Sequence, residues 1–199
     1  GLIAVGLEYV AYRPLRKRNS PPLIALISAI GASYALSEFM GLRDKFADMV
    51  GLGETLRPYV VKARDNANMP TIMQPEGMFS IGDYTVKNFE LFILVGALVI
   101  MVILDQFIKR SRLGRGIRAV AQDPATSTLM GVNSERIILA TFAIGGLLAG
   151  AAALFYVMKV PSGVIYNGGF LLGLQAFAAA VLGGIGNIRG ALVGGLVIG

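Results

Sequence analysis

Neither cysteine nor histidine occurs in this sequence. Without cysteine there is no disulfide framework and no thiolate chemistry. Without histidine the chain has no zinc site of the Cys/His kind, no imidazole base and no Ser–His triad of its own. Charge is scarce too: 15% of residues are Asp, Glu, Lys or Arg, against about 25% in soluble domains. What fills the space is apolar, at 55% of the 199 residues, with a mean hydropathy of +0.66. These residues are gathered into runs at 23–40, 89–108, 137–157 and 170–199. Each run reaches or approaches the roughly 20 residues that cross about 30 Å of hydrocarbon. The expectation is an all-α, polytopic membrane protein.

The basic residues orient the runs. Arg13, Arg16, Lys17 and Arg18 follow the first apolar piece, and Lys109, Arg110, Arg112, Arg115 and Arg118 follow the run at 89–108. Both clusters are expected in the cytoplasm, because translocated loops are poor in Lys and Arg. Parity agrees, since two spans lie between the clusters. The intervening loop, 41–88, carries six basic and six acidic residues and is expected outside. Its end, "MPTIMQPEGMFSIGDYTVKNF", places turn signals between short alternating stretches and predicts a small β-hairpin. Ser20-Pro21-Pro22 predicts a helix start, with Ser20 as cap and proline in the first turn, where a missing N–H costs little. The opening, "GLIAVGLEYVAYRP", reads as the tail of an apolar helix, and the closing "GALVGGLVIG" stops inside an apolar run. The expectation is one transmembrane domain, residues 1–199, truncated at both ends.

The last run is longer than one span needs and is interrupted at 183–190 by "GGIGNIRG". Two helices, or a span and a half-helix, are expected to meet there. Irregular backbone at membrane depth survives only where protein buries it or a cavity solvates it. The glycines imitate a dinucleotide fingerprint, but the spacing is GxGxxxG and no acidic residue follows. The better reading is packing: Gly186, Gly190 and Gly194 recur every four residues and would form one smooth helical stripe. Polar residues inside spans mark candidate path positions. Ser33 and Ser37 share a helix face with spacing i,i+4, as do Tyr34 and Glu38, and Gln175 lies well inside the run at 170–199. Back-bonding to the helix for the serines, and an interfacial position for Glu38, are the plainer alternatives. Asp105 is expected to pair with Lys109 at i+4.

Between two of the most apolar segments sits "RLGRGIRAVAQDPATSTLMGVNSER", residues 112–136. Its basic front orients the helix and meets anionic lipid. The rest needs another reason. Residues 115–122 predict a short helix; Asp123 and Pro124 predict an N-cap and first position of a second one. Gly131 is a plausible C-cap, and Asn133 or Ser134 can cap the next span. The product is a short helix lying under the bilayer with apolar knobs, an element that calls for a partner groove.

Three separated stretches resemble one family. "YVAYRPLRKRNSPPLIALISAIGASY", "SRLGRGIRAVAQDPATSTLMGVNSERIILATFAIGGLLAGAAALFY" and "AFAAAVLGGIGNIRGALVGGLVIG" look like the permease subunits of branched-chain amino acid ABC transporters, in the LivH-type version. They agree in order and spacing over nearly the whole chain. The resemblance implies that Ala121, Gln122, Asp123, Ala125, Leu129 and Gly131 belong to a segment that docks on an ATPase subunit. Gln122 stands where related importers commonly carry an acid, and Pro124 is a local variation. It further implies a second homologous permease, two cytoplasmic ATPase subunits that carry ATP and Mg2+, and an extracytoplasmic binding protein. The chain itself would bind no cofactor or metal and no nucleic acid, catalyse nothing, and sit in a bacterial inner membrane. About three helices would precede Gly1 and at least one would follow Gly199. A same-fold permease for urea, short amides or simple sugars is the alternative cargo reading. An intramembrane enzyme lacks a nucleophile–base pair, and a secondary transporter needs buried coupling carboxylates, whereas Glu38, Glu90 and Asp105 lie near helix ends.

Overall fold

The computed structural model describes residues 1–17, 22–49, 51, 77–81, 84–160, 165 and 167–199. Its architecture is all-α, with one small hairpin among the described residues. The first apolar piece is a continuous helical rod made of α1 (Leu2–Leu7), a π turn (Glu8–Tyr12) and α2 (Arg13–Lys17). A 20-residue helix α3 (Pro22–Gly41) and a short α4 (Arg43–Met49) follow. Pro22 opens α3; Ser20 and Pro21 lie outside the described residues. The hairpin pairs β1 (Gly77–Ile81) with β2 (Tyr84–Lys87) antiparallel, Ile81 opposite Tyr84. It lies where the turn signals place it; Gly82 and Asp83 themselves lie outside the described residues.

β2 runs directly into α5 (Asn88–Arg110), and the polar insert becomes α6 (Arg112–Gln122) and α7 (Pro124–Leu129) before α8 (Ser134–Lys159). Among the described residues, α5 and α8 are long and apolar enough to cross a bilayer. At 1.5 Å rise per residue, their 23 and 26 residues give about 35–39 Å. The chain closes with α9 (Gly168–Leu182) and α10 (Ile188–Ile198).

Little of this apolar surface is covered by the chain itself. Val120 and Ala179 are the buried hydrophobic side chains among the described residues, while residues such as Leu98, Ile103, Leu147 and Leu154 stand exposed. A contiguous apolar exterior of this extent needs lipid or a protein partner as solvent. Where helices do meet, small residues let them. A Cβ on Gly96 would lie 2.7 Å from the Phe155 ring, and one on Gly146 would lie 2.5 Å from the Ala4 Cβ. These contacts pack α5 and α1 against α8, helped by Tyr12 and Phe142, whose rings are 5.0 Å apart.

α9 and α10 form the tightest contact. The break between them is a turn with Gly184 at φ +87° and Gly186 at φ +93°. The Asn187 side chain then caps α10 by accepting from the Gly190 N–H at 3.1 Å. A Cβ on Gly190 would meet the Gly183 carbonyl oxygen at 1.8 Å, and one on Gly194 would meet that of Ala179 at 2.2 Å. The two helices therefore touch backbone to backbone. The expected stripe needs one correction: α10 starts at Ile188, so Gly186 precedes the helix and is a left-handed turn residue. A Cβ there would meet nothing within 4 Å.

Candidate functional site

The insert between α5 and α8 is held in shape by its own residues. Ser111 caps α6, its Oγ accepting from the Gly114 N–H at 2.8 Å. The corner from α5 into α6 is tight: a Cβ on Gly114 would lie 2.1 Å from the Ile108 carbonyl oxygen. The Arg118 guanidinium donates to that same carbonyl and ties α6 back to the end of α5. Gly116 and Val120, one turn apart, are buried, and a Cβ on Gly116 would meet Ile137 of α8 at 2.6 Å. α6 thus packs one face on α8 and turns the other outward.

α7 is capped at both ends. The Asp123 carboxylate accepts from the N–H groups of Ala125 at 2.9 Å and Thr126 at 3.2 Å, and from the Thr126 hydroxyl. The hydroxyl bond chiefly, and then the two N–H bonds, hold the Asp123 carboxyl below the ordinary aspartate value. At the other end Gly131 adopts φ +83°. Its N–H donates to the Thr128 carbonyl at 3.0 Å, and the Val132 N–H donates to the Ser127 carbonyl at 3.0 Å. This 6→1, 5→2 pair is the Schellman closure that a left-handed glycine permits. Ser127 and Thr128 bond back to the Pro124 carbonyl within α7 at 3.0 and 2.8 Å, and Ser134 pins α8 to α7 by donating to the same carbonyl at 3.3 Å and by lying 2.8 Å from the Thr128 hydroxyl. Asn133 then caps α8 through the Arg136 N–H at 3.0 Å.

Pinned this way, the insert presents Ala121, Gln122, Asp123 and Ala125 as an exposed edge. Its tip is apolar, with Leu129 86% and Met130 80% exposed. The structure therefore places the predicted docking residues in succession along the end of α6, α7 and the left-handed turn after it.

The candidate path residues are placed less closely. Ser33 and Ser37 are half-buried on α3, and Gln175 is exposed on α9. The Tyr34 and Phe170 rings, 4.7 Å apart, put α3 beside α9. Among the described residues no hydrogen bond joins either serine to Gln175. No three Asp or Glu side chains among the described residues gather so as to hold a metal ion.

Two charged features escape a reading of the sequence by runs. Glu8 is 2% exposed and accepts from Arg16 at 2.9 Å, inside the π turn. The signal was an acid in an apolar run with a base two helical turns on. Asp105 pairs with Lys109 at 2.8 Å, as its i+4 spacing suggests, but also with Arg189 of α10 at 3.0 Å. Nothing in the local spacing points to that second partner, 84 residues away.

A family model described as the permease component of the branched-chain amino acid transport system matches residues 22–199. The high-affinity branched-chain amino acid transport system permease protein BraD of Pseudomonas aeruginosa is 41% identical over 197 residues, covering 97% of this chain and 57% of the relative. LivH of Escherichia coli K12, described in the same words, is 38% identical over the same shares. The fructose import permease protein FrcC of Rhizobium meliloti is 28% identical over 146 residues, 70% of this chain and 39% of the relative. The chain spans little more than half the length of its branched-chain relatives. No solved structure significantly matches it. With a family model covering most of the chain and long apolar helices to carry it, the protein belongs to the branched-chain amino acid transport permease family.

Proposed function

We propose that this chain is a membrane permease subunit of an ATP-driven importer of branched-chain amino acids. It sits multi-pass in the bacterial inner membrane beside a second, homologous permease. Two cytoplasmic ATPase subunits hold ATP and Mg2+, and an extracytoplasmic binding protein delivers the cargo. The chain hydrolyses nothing. The observation that carries the reading is the capped, hydroxyl-pinned helix α7 with its apolar tip, on the basic end of two spanning helices. Such a tip needs a groove, and closure of the ATPases around nucleotide would push on it. The spans then relay that displacement to a central path, for which Ser33, Ser37 and Gln175 are the proposed polar lining. The Gly190 and Gly194 contacts keep α9 and α10 together as one body.

Branched-chain cargo is favoured by the names of the relatives at 38–41% identity. A small polar solute is the second reading, favoured by the 28% likeness to a fructose permease. The test is uptake in cells carrying the complete complex, with a panel of leucine, isoleucine, valine, urea, acetamide and fructose. ATP-dependent uptake of the three amino acids is expected. Uptake of urea, acetamide or fructose in their place would replace the cargo assignment.

A further inference from the structure

Two ion pairs bracket the insert, one at each end, and each reaches a different group of helices. Asp105 lies on α5 just before the insert and binds Arg189 of α10, with contacts at 3.0 and 3.3 Å. Glu135 lies in the first turn of α8 just after it and binds Arg13 of α2 at 2.5 Å. We propose that Asp105 and Glu135 are positioning residues that carry displacement of the docking element into two separate helix groups, α9–α10 and α1–α2. The inference rests on the docking reading above and adds the route by which the motion leaves the insert.

The pairs are poor candidates for static stabilisers. The Arg189 and Glu135 side chains are 68% and 52% exposed, against 15% and 31% for their partners Asp105 and Arg13, and ion pairs open on one side contribute little to stability. Their partners, however, are remote in sequence and sit on firmly packed bodies. Arg13 belongs to the rod that packs on α8 through Tyr12 and Ala4. Arg189 belongs to α10, which touches α9 backbone to backbone. A capped insert linked by charge to two packed helix groups then acts as a lever with two ends.

The local chemistry also leaves the less exposed partner of each link, Asp105 and Arg13, a second contact when the link opens, which limits the cost of parting the charges. If Arg189 withdraws, Asp105 keeps Lys109 at 2.8 Å. If Glu135 withdraws, the Arg13 guanidinium still lies 5.2 Å from the Tyr9 ring centroid, a cation–π distance. There is room to move on the Arg189 side. A cleft of about 340 Å³ opens there, lined by Asp105, Lys109, Arg118, Asn187 and Arg189 among others. A relay needs two discrete arrangements, and these second contacts define the other one.

The experiment uses the complete complex in membrane vesicles and reads leucine imported per ATP hydrolysed. Asp105→Asn and Arg189→Gln are each expected to lower that ratio about three- to thirtyfold, with the ATPase still copurifying at wild-type yield. Because the two residues act as one link, the double variant should be no worse than the poorer single. Arg189→Lys should recover part of the ratio. On the other side, Arg13→Glu and Glu135→Arg should each uncouple, and together recover. A wild-type ratio in the single variants, additive losses in the double, or loss of the ATPase itself overturns the proposal. If the wild-type complex imports no cargo at all, the functional reading falls and takes the inference with it. Wild-type import with unaltered variants sinks the inference alone.

Discussion

At the scale of single residues, glycine chemistry divides sharply by position. Gly190 and Gly194 face carbonyl oxygens at distances no Cβ can occupy, whereas a Cβ on Gly195 would sit 4.0 Å from the Ala179 Cβ. Gly190→Ala is therefore expected to destabilise the α9–α10 pair by about 2 kcal/mol or more. Gly195→Ala should change little. Gly186→Ala has space but must hold φ +93°, which costs about 1–2 kcal/mol. Thermal unfolding of the three variants in detergent gives the order: equal midpoints for Gly190→Ala and Gly195→Ala contradict the backbone contact. Asp123 adds a pH dependence. Its folded pKa is depressed, so the charge-dependent part of the capping contribution is fully present above the ordinary aspartate value, 3.8, and is lost as pH falls through the lower, folded value. Hydrogen exchange at the Ala125 and Thr126 amides should stay slow at pH 5–7. Protection in Asp123→Ala should be low throughout that range and protection in Asp123→Asn largely kept, since the amide oxygen still accepts. The cap was legible because Asp-Pro fixes its position in sequence. The role of Gly186 was not, because an i,i+4 row does not reveal where a helix begins.

Among the elements, the helices were legible wherever run length and caps coincide. Asp123 with Pro124, Gly131 and Asn133 mark the insert's joints in sequence, and the structure puts a cap at each. The bonds from Ser134 to Thr128 and to the Pro124 carbonyl were not legible, because they depend on how α7 folds back upon α8. The π turn escaped as well: its apolar composition, Glu8 aside, is that of the α-helix on either side. The charge asymmetry predicts which ends face the cytoplasm, and the absence of cysteine makes labelling clean. Met49 and Met130 are 78% and 80% exposed, so accessibility reports the side of the membrane rather than burial. Met130→Cys should react with an impermeant maleimide only in inside-out vesicles, and Met49→Cys only in right-side-out ones. The reverse pattern would invert the topology.

On the scale of the whole molecule, the described residues form apolar rods with little core of their own, joined by close glycine contacts and ion pairs. Such a body takes its environment from lipid and partners, and among the described residues the α6–α7 insert is its capped polar projection between the two long helices. The sequence made the projection visible by its composition; the long-range pairs at its two ends came only from the assembled helices. The central claim is that this projection seats in an ATP-hydrolysing partner, and Ala125→Glu tests it most directly. Ala125 is exposed in the first turn of α7, where an acid suits the helix dipole, so the helix itself should survive. An unpaired charge forced into a partner's groove costs about 2–5 kcal/mol. The measurement is the amount of ATPase copurifying with wild-type and Ala125→Glu permease at equal expression. The account predicts loss of most of the ATPase from the variant with normal membrane insertion; full retention, with normal ATP hydrolysis, would contradict it.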